Sequence, residues 1–156
     1  MRLRVIAVGS RMPQWVRAAY DDYITRLGSG LTVSLTEIEP APRAAGRAPG
    51  KAIDTEGRKL RAALRRDDYV VALDERGSEM TTRELAAWLG ARMQEGRDVA
   101  FLIGGPDGLA PEVLARSDFH WSLSRLTFPH ALVRVLVAEQ LYRAHGVLAN
   151  HPYHRG

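Results

Sequence analysis

Four stretches of this chain hold residues whose types and spacing suit chemistry. Gly104-Gly105-Pro106-Asp107-Gly108 follows an apolar run, and paired glycines there let backbone N–H and C=O groups approach a ligand with no side chain between. The same glycines also suit a plain turn after a strand. Their spacing is not G-x-G-x-x-G, and no Gly-Lys-Ser/Thr follows, so neither a dinucleotide fingerprint nor a P-loop is present. Leu73-Asp74-Glu75-Arg76-Gly77 closes a second apolar run. Leu123–Pro129 mixes small polar and apolar residues ahead of a helix, a composition that can wrap a base with apolar contacts while backbone amides read its edge. The plainer reading of that stretch is a helix start in which Thr127 caps and Pro129 occupies the first turn. The fourth stretch is the tail, with His151, Tyr153, His154 and Arg155 close together. Its His-x-x-His spacing crosses Pro152, which is poor helix, and no carboxylate is near, so no metal site is expected. A tail of this composition is either frayed or docked for a purpose.

Loops of this kind need a scaffold that brings them together. The pattern predicts a first strand over Leu3–Val8, ended by Gly9-Ser10, and a helix over Gln14–Leu27. A second strand is expected over Leu31–Ile38. Pro40–Gly50 reads as an exposed, mobile loop carrying Arg43 and Arg47, with Lys51 just beyond. A helix over Ala52–Leu64 and a strand over Tyr69–Leu73 follow. Thr81 and Glu84 have capping-box spacing and open a helix to Glu95. Val99–Ile103 is a strand, Pro111–Arg116 a short helix, Phe119–Leu123 a strand, and His130–His145 the last helix. Strands that are continuous apolar runs, alternating with helices, predict an α/β domain with a mostly parallel sheet and helices on both faces. In such sheets ligands bind beyond the carboxyl ends of the strands, where the first three stretches fall. The last helix is apolar around most of its circumference. That suits either a central core helix or one shared with a second subunit.

Composition narrows the function classes. At 156 residues the chain fits one domain with a real core, spanning 1–156. Apolar residues at 46% and charged residues at 26% argue against disorder. Without cysteine there is no disulfide framework and no thiolate metal site. The N-terminal apolar run is too short for a secretory signal, and no run approaches a membrane span, so a soluble cytoplasmic protein is expected. The net charge of +4 is carried mainly by arginine, whose planar fork suits phosphate, and an RNA partner fits.

In this order and spacing, Leu73–Gly77, Ile103–Gly108, Leu123–His130 and Asn150–Arg155 resemble one family over the whole chain. It is the large-subunit ribosomal RNA methyltransferase H family of the SPOUT superfamily. The resemblance implies a homodimeric enzyme that uses S-adenosylmethionine, without metal, to methylate N3 of pseudouridine 1915 in helix 69 of 23S RNA, on assembled ribosomes. It also implies a deep trefoil knot near the C-terminus that forms the cofactor site. Carried over by position, the cofactor contacts are Leu73, Gly104, Leu123, Ser124, Arg125, Leu126, Thr127 and Phe128. Tyr153, His154 and Arg155 fall in the catalytic and RNA-contacting region. There His154 is expected to accept the N3 proton and Arg155 to stabilise charge on the uracil ring. Arg43, Arg47, Lys51 and Arg125 are candidate RNA contacts, each with the plainer reading of a solvated cation. Where the family often has Lys after Asp-Glu-Arg-Gly, this chain has Ser78, which weakens any phosphate contact assigned there. Competing readings are a non-catalytic RNA-binding protein of this fold and a methyltransferase for another RNA base. A hydrolase or nucleotide-binding enzyme lacks its lysine and its nucleophile–base motif.

Overall fold

Side chains alternate between the two faces of a strand, and in this chain both faces are apolar. Along β1 (Arg2–Val8), Leu3, Val5 and Ala7 enter one buried cluster, and Ile6 and Val8 enter another. Along β4 (Val99–Ile103), Val99, Phe101 and Ile103 join the first cluster, and Ala100 and Leu102 join the second. Strands buried on both sides need cover on both sides, and a three-layer architecture follows. The computed structural model describes residues 1–28, 30–43, 45–46 and 48–150.

The remaining elements are α1 (Gln14–Arg26), β2 (Thr32–Ile38), α2 (Gly50–Ala62), β3 (Tyr69–Glu79), α3 (Thr82–Glu95), α4 (Pro111–Arg116), β5 (Phe119–Ser122) and α5 (His130–Leu148). The five strands form one sheet in the order β2-β1-β4-β3-β5, and every pairing is parallel. Leu85 and Leu89 of α3 and Leu141 and Ala144 of α5 pack on the first cluster, and α1 packs against α5. Leu60 of α2 and Val113 of α4 cover the other face. The last helix is thus a core helix of this chain, flanked by α1 and α3, and its Val137, Ala138, Leu141 and Ala144 are fully buried.

Local signals explain most boundaries. Thr81 caps α3 by accepting from the Glu84 N–H at 3.1 Å, and the Thr81 N–H donates to the Glu84 carboxylate at 3.0 Å. Two boundaries differ from the sequence expectation by three residues or more. The last helix runs through Gly146 to Leu148, because Gly146 is buried in helix packing and does not serve as a cap. The third strand does not stop at Leu73. Leu73 and Ser78 both pair with Trp121, so residues 74–77 bulge out between them and the strand resumes to Glu79. Gly77 is required there, since a Cβ would lie 2.5 Å from the His120 carbonyl oxygen.

Candidate methyl-donor site

A cavity of about 460 Å³ opens at the carboxyl ends of β3, β4 and β5, within the range of small-molecule sites. Three loops wall it. The 73–76 bulge supplies Leu73, Asp74, Glu75 and Arg76; the glycine loop supplies Gly104 through Gly108; the loop after β5 supplies Leu123, Ser124, Leu126, Thr127 and Phe128. Seven of the eight expected cofactor residues therefore line one cavity. Arg125 does not line it and is exposed. Tyr153, His154 and Arg155, with Arg47 of the basic loop, lie outside the described residues.

Each wall has a physical reason for its shape. A Cβ on Gly104 would sit 2.7 Å from the Gly108 backbone, so only glycine lets the loop fold on itself. The Gly108 N–H then donates to the Gly105 carbonyl at 3.1 Å. After β5, the Ser122 hydroxyl donates to the Ser124 carbonyl at 2.8 Å and the Leu126 N–H donates to the Ser124 hydroxyl at 3.0 Å. This turn pushes Leu126 out on the rim, 69% exposed. The Thr127 hydroxyl donates to the Glu75 carboxylate at 2.8 Å, tying two walls together, so Thr127 does not serve as a helix cap. Apolar faces from Leu73, Ile103, Leu123 and Phe128, with glycine backbone beside them, fit an adenosyl group better than a polyphosphate, which needs several cations or a nest of amides.

Arg43 has partners within the chain that the sequence does not suggest. The loop is exposed as expected, but Arg43 is ion-paired within the chain. Its Nη1 and Nη2 donate to the Glu56 carboxylate at 2.8 and 3.0 Å, and its Nε donates to Asp107 of the glycine loop at 2.6 Å. Glu56 is buried and also accepts from the Ala41 N–H at 3.0 Å. Both carboxylates raise the Arg43 pKa. Local sequence hides this arrangement, because Asp107 is 64 positions away. Lys51 is exposed, as expected.

Sequence reasoning also missed His130 as a site residue. It lines the cavity as the first residue of α5, with Arg134 one turn on. Burial lowers its pKa, the Arg134 and Arg43 cations lower it further, and Glu56 opposes them. The ring is therefore neutral at physiological pH. Arg134 is buried, donates to Glu37 at 2.6 Å and to the Gly9 carbonyl at 3.3 Å, and so fastens the turn after β1 to α5. The one signal available was Pro129-His130 directly after a motif loop.

Comparison with known proteins agrees with this geometry. Residues 1–154 match a family model described as "Predicted SPOUT methyltransferase". The chain is 54% identical over 155 residues to the ribosomal RNA large subunit methyltransferase H of Alkalilimnicola ehrlichii, covering 99% of each chain. It is 51% identical to that of Stenotrophomonas maltophilia and 50% identical to that of Paraburkholderia phymatum, each over 155 residues and 99% of both chains. A solved structure of a probable methylase family protein from Haemophilus influenzae Rd KW20 shares the fold, with a TM-score of 0.57 at 17% identity, covering 99% of this chain and 70% of that one. The chain belongs to the ribosomal RNA large subunit methyltransferase H family of SPOUT methyltransferases.

Proposed function

We propose that the chain methylates N3 of pseudouridine 1915 in helix 69 of 23S ribosomal RNA, in assembled ribosomes in the cytoplasm. The observation that carries this reading is the single cavity built from the motif loops, in a chain alike over its full length to methyltransferases of the large ribosomal RNA. S-adenosylmethionine bound there supplies an electrophilic methyl carbon on a sulfonium. Leu73, Gly104, Leu123, Ser124, Leu126, Thr127 and Phe128 hold the donor, and Arg125, exposed outside the wall, is kept as an RNA contact, as are Lys51 and Arg47. Formation of the N3–methyl bond would leave the methyl–sulfur electron pair on sulfur and would require the protein to take up the N3 proton. Alignment and removal of that proton are what the residues must provide. In this reading His154 accepts the proton, Arg155 stabilises the charge on the ring and Tyr153 contacts the target.

The same reading takes residues 1–156 as one domain with a trefoil knot near the C-terminus, working as a homodimer. A second assignment of the base is favoured by one observation, the place of the His130 ring in the cavity wall, where burial holds its pKa below the ordinary value. Single-turnover rates of H154A and H130A separate the two: the variant that loses methylation while still binding the donor identifies the acceptor.

The test of function is methyl transfer from labelled S-adenosylmethionine to ribosomes lacking the modification, with the product nucleotide mapped. Label on N3 of pseudouridine 1915 is expected. Donor binding without ribosomal label would move the target to another RNA. No donor binding would overturn the enzymatic reading.

A further inference from the structure

Far from the donor cavity, the described residues form a second concavity of about 370 Å³, lined by five arginines with Ala62 and Leu64. Arg58 and Arg61 come from the last turns of α2, Arg65 and Arg66 from the connection to β3, and Arg116 ends α4. The connection is held rigidly. Arg4 donates to the Ala63 carbonyl at 2.9 Å and is paired with buried Asp68, which also accepts from the Arg65 N–H at 2.7 Å. The guanidinium groups above it are only loosely neutralised. Arg61–Glu112, Arg65–Asp98 and Arg116–Asp118 stand 3.6, 3.8 and 3.6 Å apart. Arg58 and Arg66 have no ion pair among the described residues.

Exposed pairs at such separations contribute little to stability, so folding does not explain five like charges around one hollow. We propose that this concavity is a phosphate-binding subsite that grips the backbone of the substrate RNA away from the reacting base. Arginine forks match phosphate oxygens, and a rigid mount lowers the ordering cost of the contact. A protein partner would call for an apolar or aromatic anchor pocket, which the small floor of Ala62 and Leu64 does not offer. The hollow lies at the amino end of β3, before Tyr69, whereas the donor cavity begins at Leu73. At roughly 3.3 Å per residue along the strand, the two are more than about 13 Å apart, so one RNA molecule can engage both. The proposal rests on ribosomal RNA being the substrate.

The test uses the full chain carrying R58Q/R61Q/R66Q, all three at exposed positions. The KM for unmodified ribosomes is expected to rise about tenfold, and the slope of log affinity against log salt to fall by roughly 0.7–0.9 per lost phosphate contact. The dissociation constant for S-adenosylmethionine is expected to stay at the wild-type value. An unchanged KM overturns the proposal. A raised KM with an unchanged salt slope also overturns it, and assigns the hollow to a ribosomal protein. If the wild-type chain does not methylate ribosomes, the functional reading fails separately. Filter binding of a nonspecific single-stranded RNA then decides: lower salt-dependent affinity of the variant supports the subsite, and equal affinity removes it.

Discussion

Arginine at the carboxyl end of the sheet and arginine at its amino end are used in opposite ways. Arg43 is fully engaged by Glu56 and Asp107, at distances of 2.6 to 3.0 Å, and fixes the glycine loop to α2. Of the five arginines at the other end, three stand 3.6 to 3.8 Å from a carboxylate and two have no ion pair among the described residues. Both groups belong to stretches that look basic in the sequence. Distance to a carboxylate decides which cation serves the protein's own geometry and which remains available to a polyanion.

The comparison is broken most severely at the glycine loop. Gly104→Val places a branched side chain where even a Cβ lies 2.7 Å from the Gly108 backbone. Donor affinity measured by calorimetry is expected to fall by more than about a hundredfold, or about 2.7 kcal/mol. Near-normal affinity would show that the loop is not a cavity wall.

A smaller effect is expected at the latch. Arg43→Met leaves the Glu56 carboxylate, 2% exposed, without its cation. Breaking a fully buried pair from one side costs about 3–5 kcal/mol, and the half-exposed Arg43 places this loss below that range. Adding Glu56→Gln should restore most of the melting temperature. Donor affinity should stay about tenfold low in both variants, because Asp107 is released in both. If the double variant regains affinity as well as stability, Arg43 stabilises the fold without positioning the loop.

The smallest effect is a pH dependence. The folded chain holds the His130 ring below its ordinary value of 6.5, chiefly by burial. Above 6.5 the ring is neutral in both folded and unfolded states, and pH does not act through it. As pH falls below that value the unfolded chain takes up the proton first, so stability declines until the folded value is passed. His130→Gln removes this dependence. Its melting temperature should therefore drop less than that of the wild type between about pH 7 and pH 5. Equal losses would place the titration elsewhere.

Much of this was legible in the sequence because it is local or periodic. Val99–Ile103 is apolar at every position and is buried at every position. The Thr81–Glu84 cap needs only its own four residues. Leu73, Gly104 and Leu123 sit at ends of apolar runs, where parallel sheets bind ligands. What stayed hidden depends on distant partners. Asp74-Glu75-Arg76 reads as the end of a strand, and only pairing of Ser78 and Glu79 with Trp121 and Ser122 resumes it. Arg43 reads as solvated until Asp107 is brought beside it. The arginine hollow joins residues of α2 to Arg116 of α4, and His130 becomes a site residue only once α5 meets the sheet.

The doubled pairing of β3 on Trp121 has one more consequence, for redesign. Because Leu73 and Ser78 meet the same residue, the segment between them is a cassette clamped at both ends, in which Gly77 is fixed by its closeness to the His120 carbonyl. Asp74, Glu75 and Arg76 border the donor cavity yet take no part in the ladder. A library confined to codons 74 and 76 would reshape the pocket for bulkier donor analogues while keeping the Glu75–Thr127 tie between two of its walls.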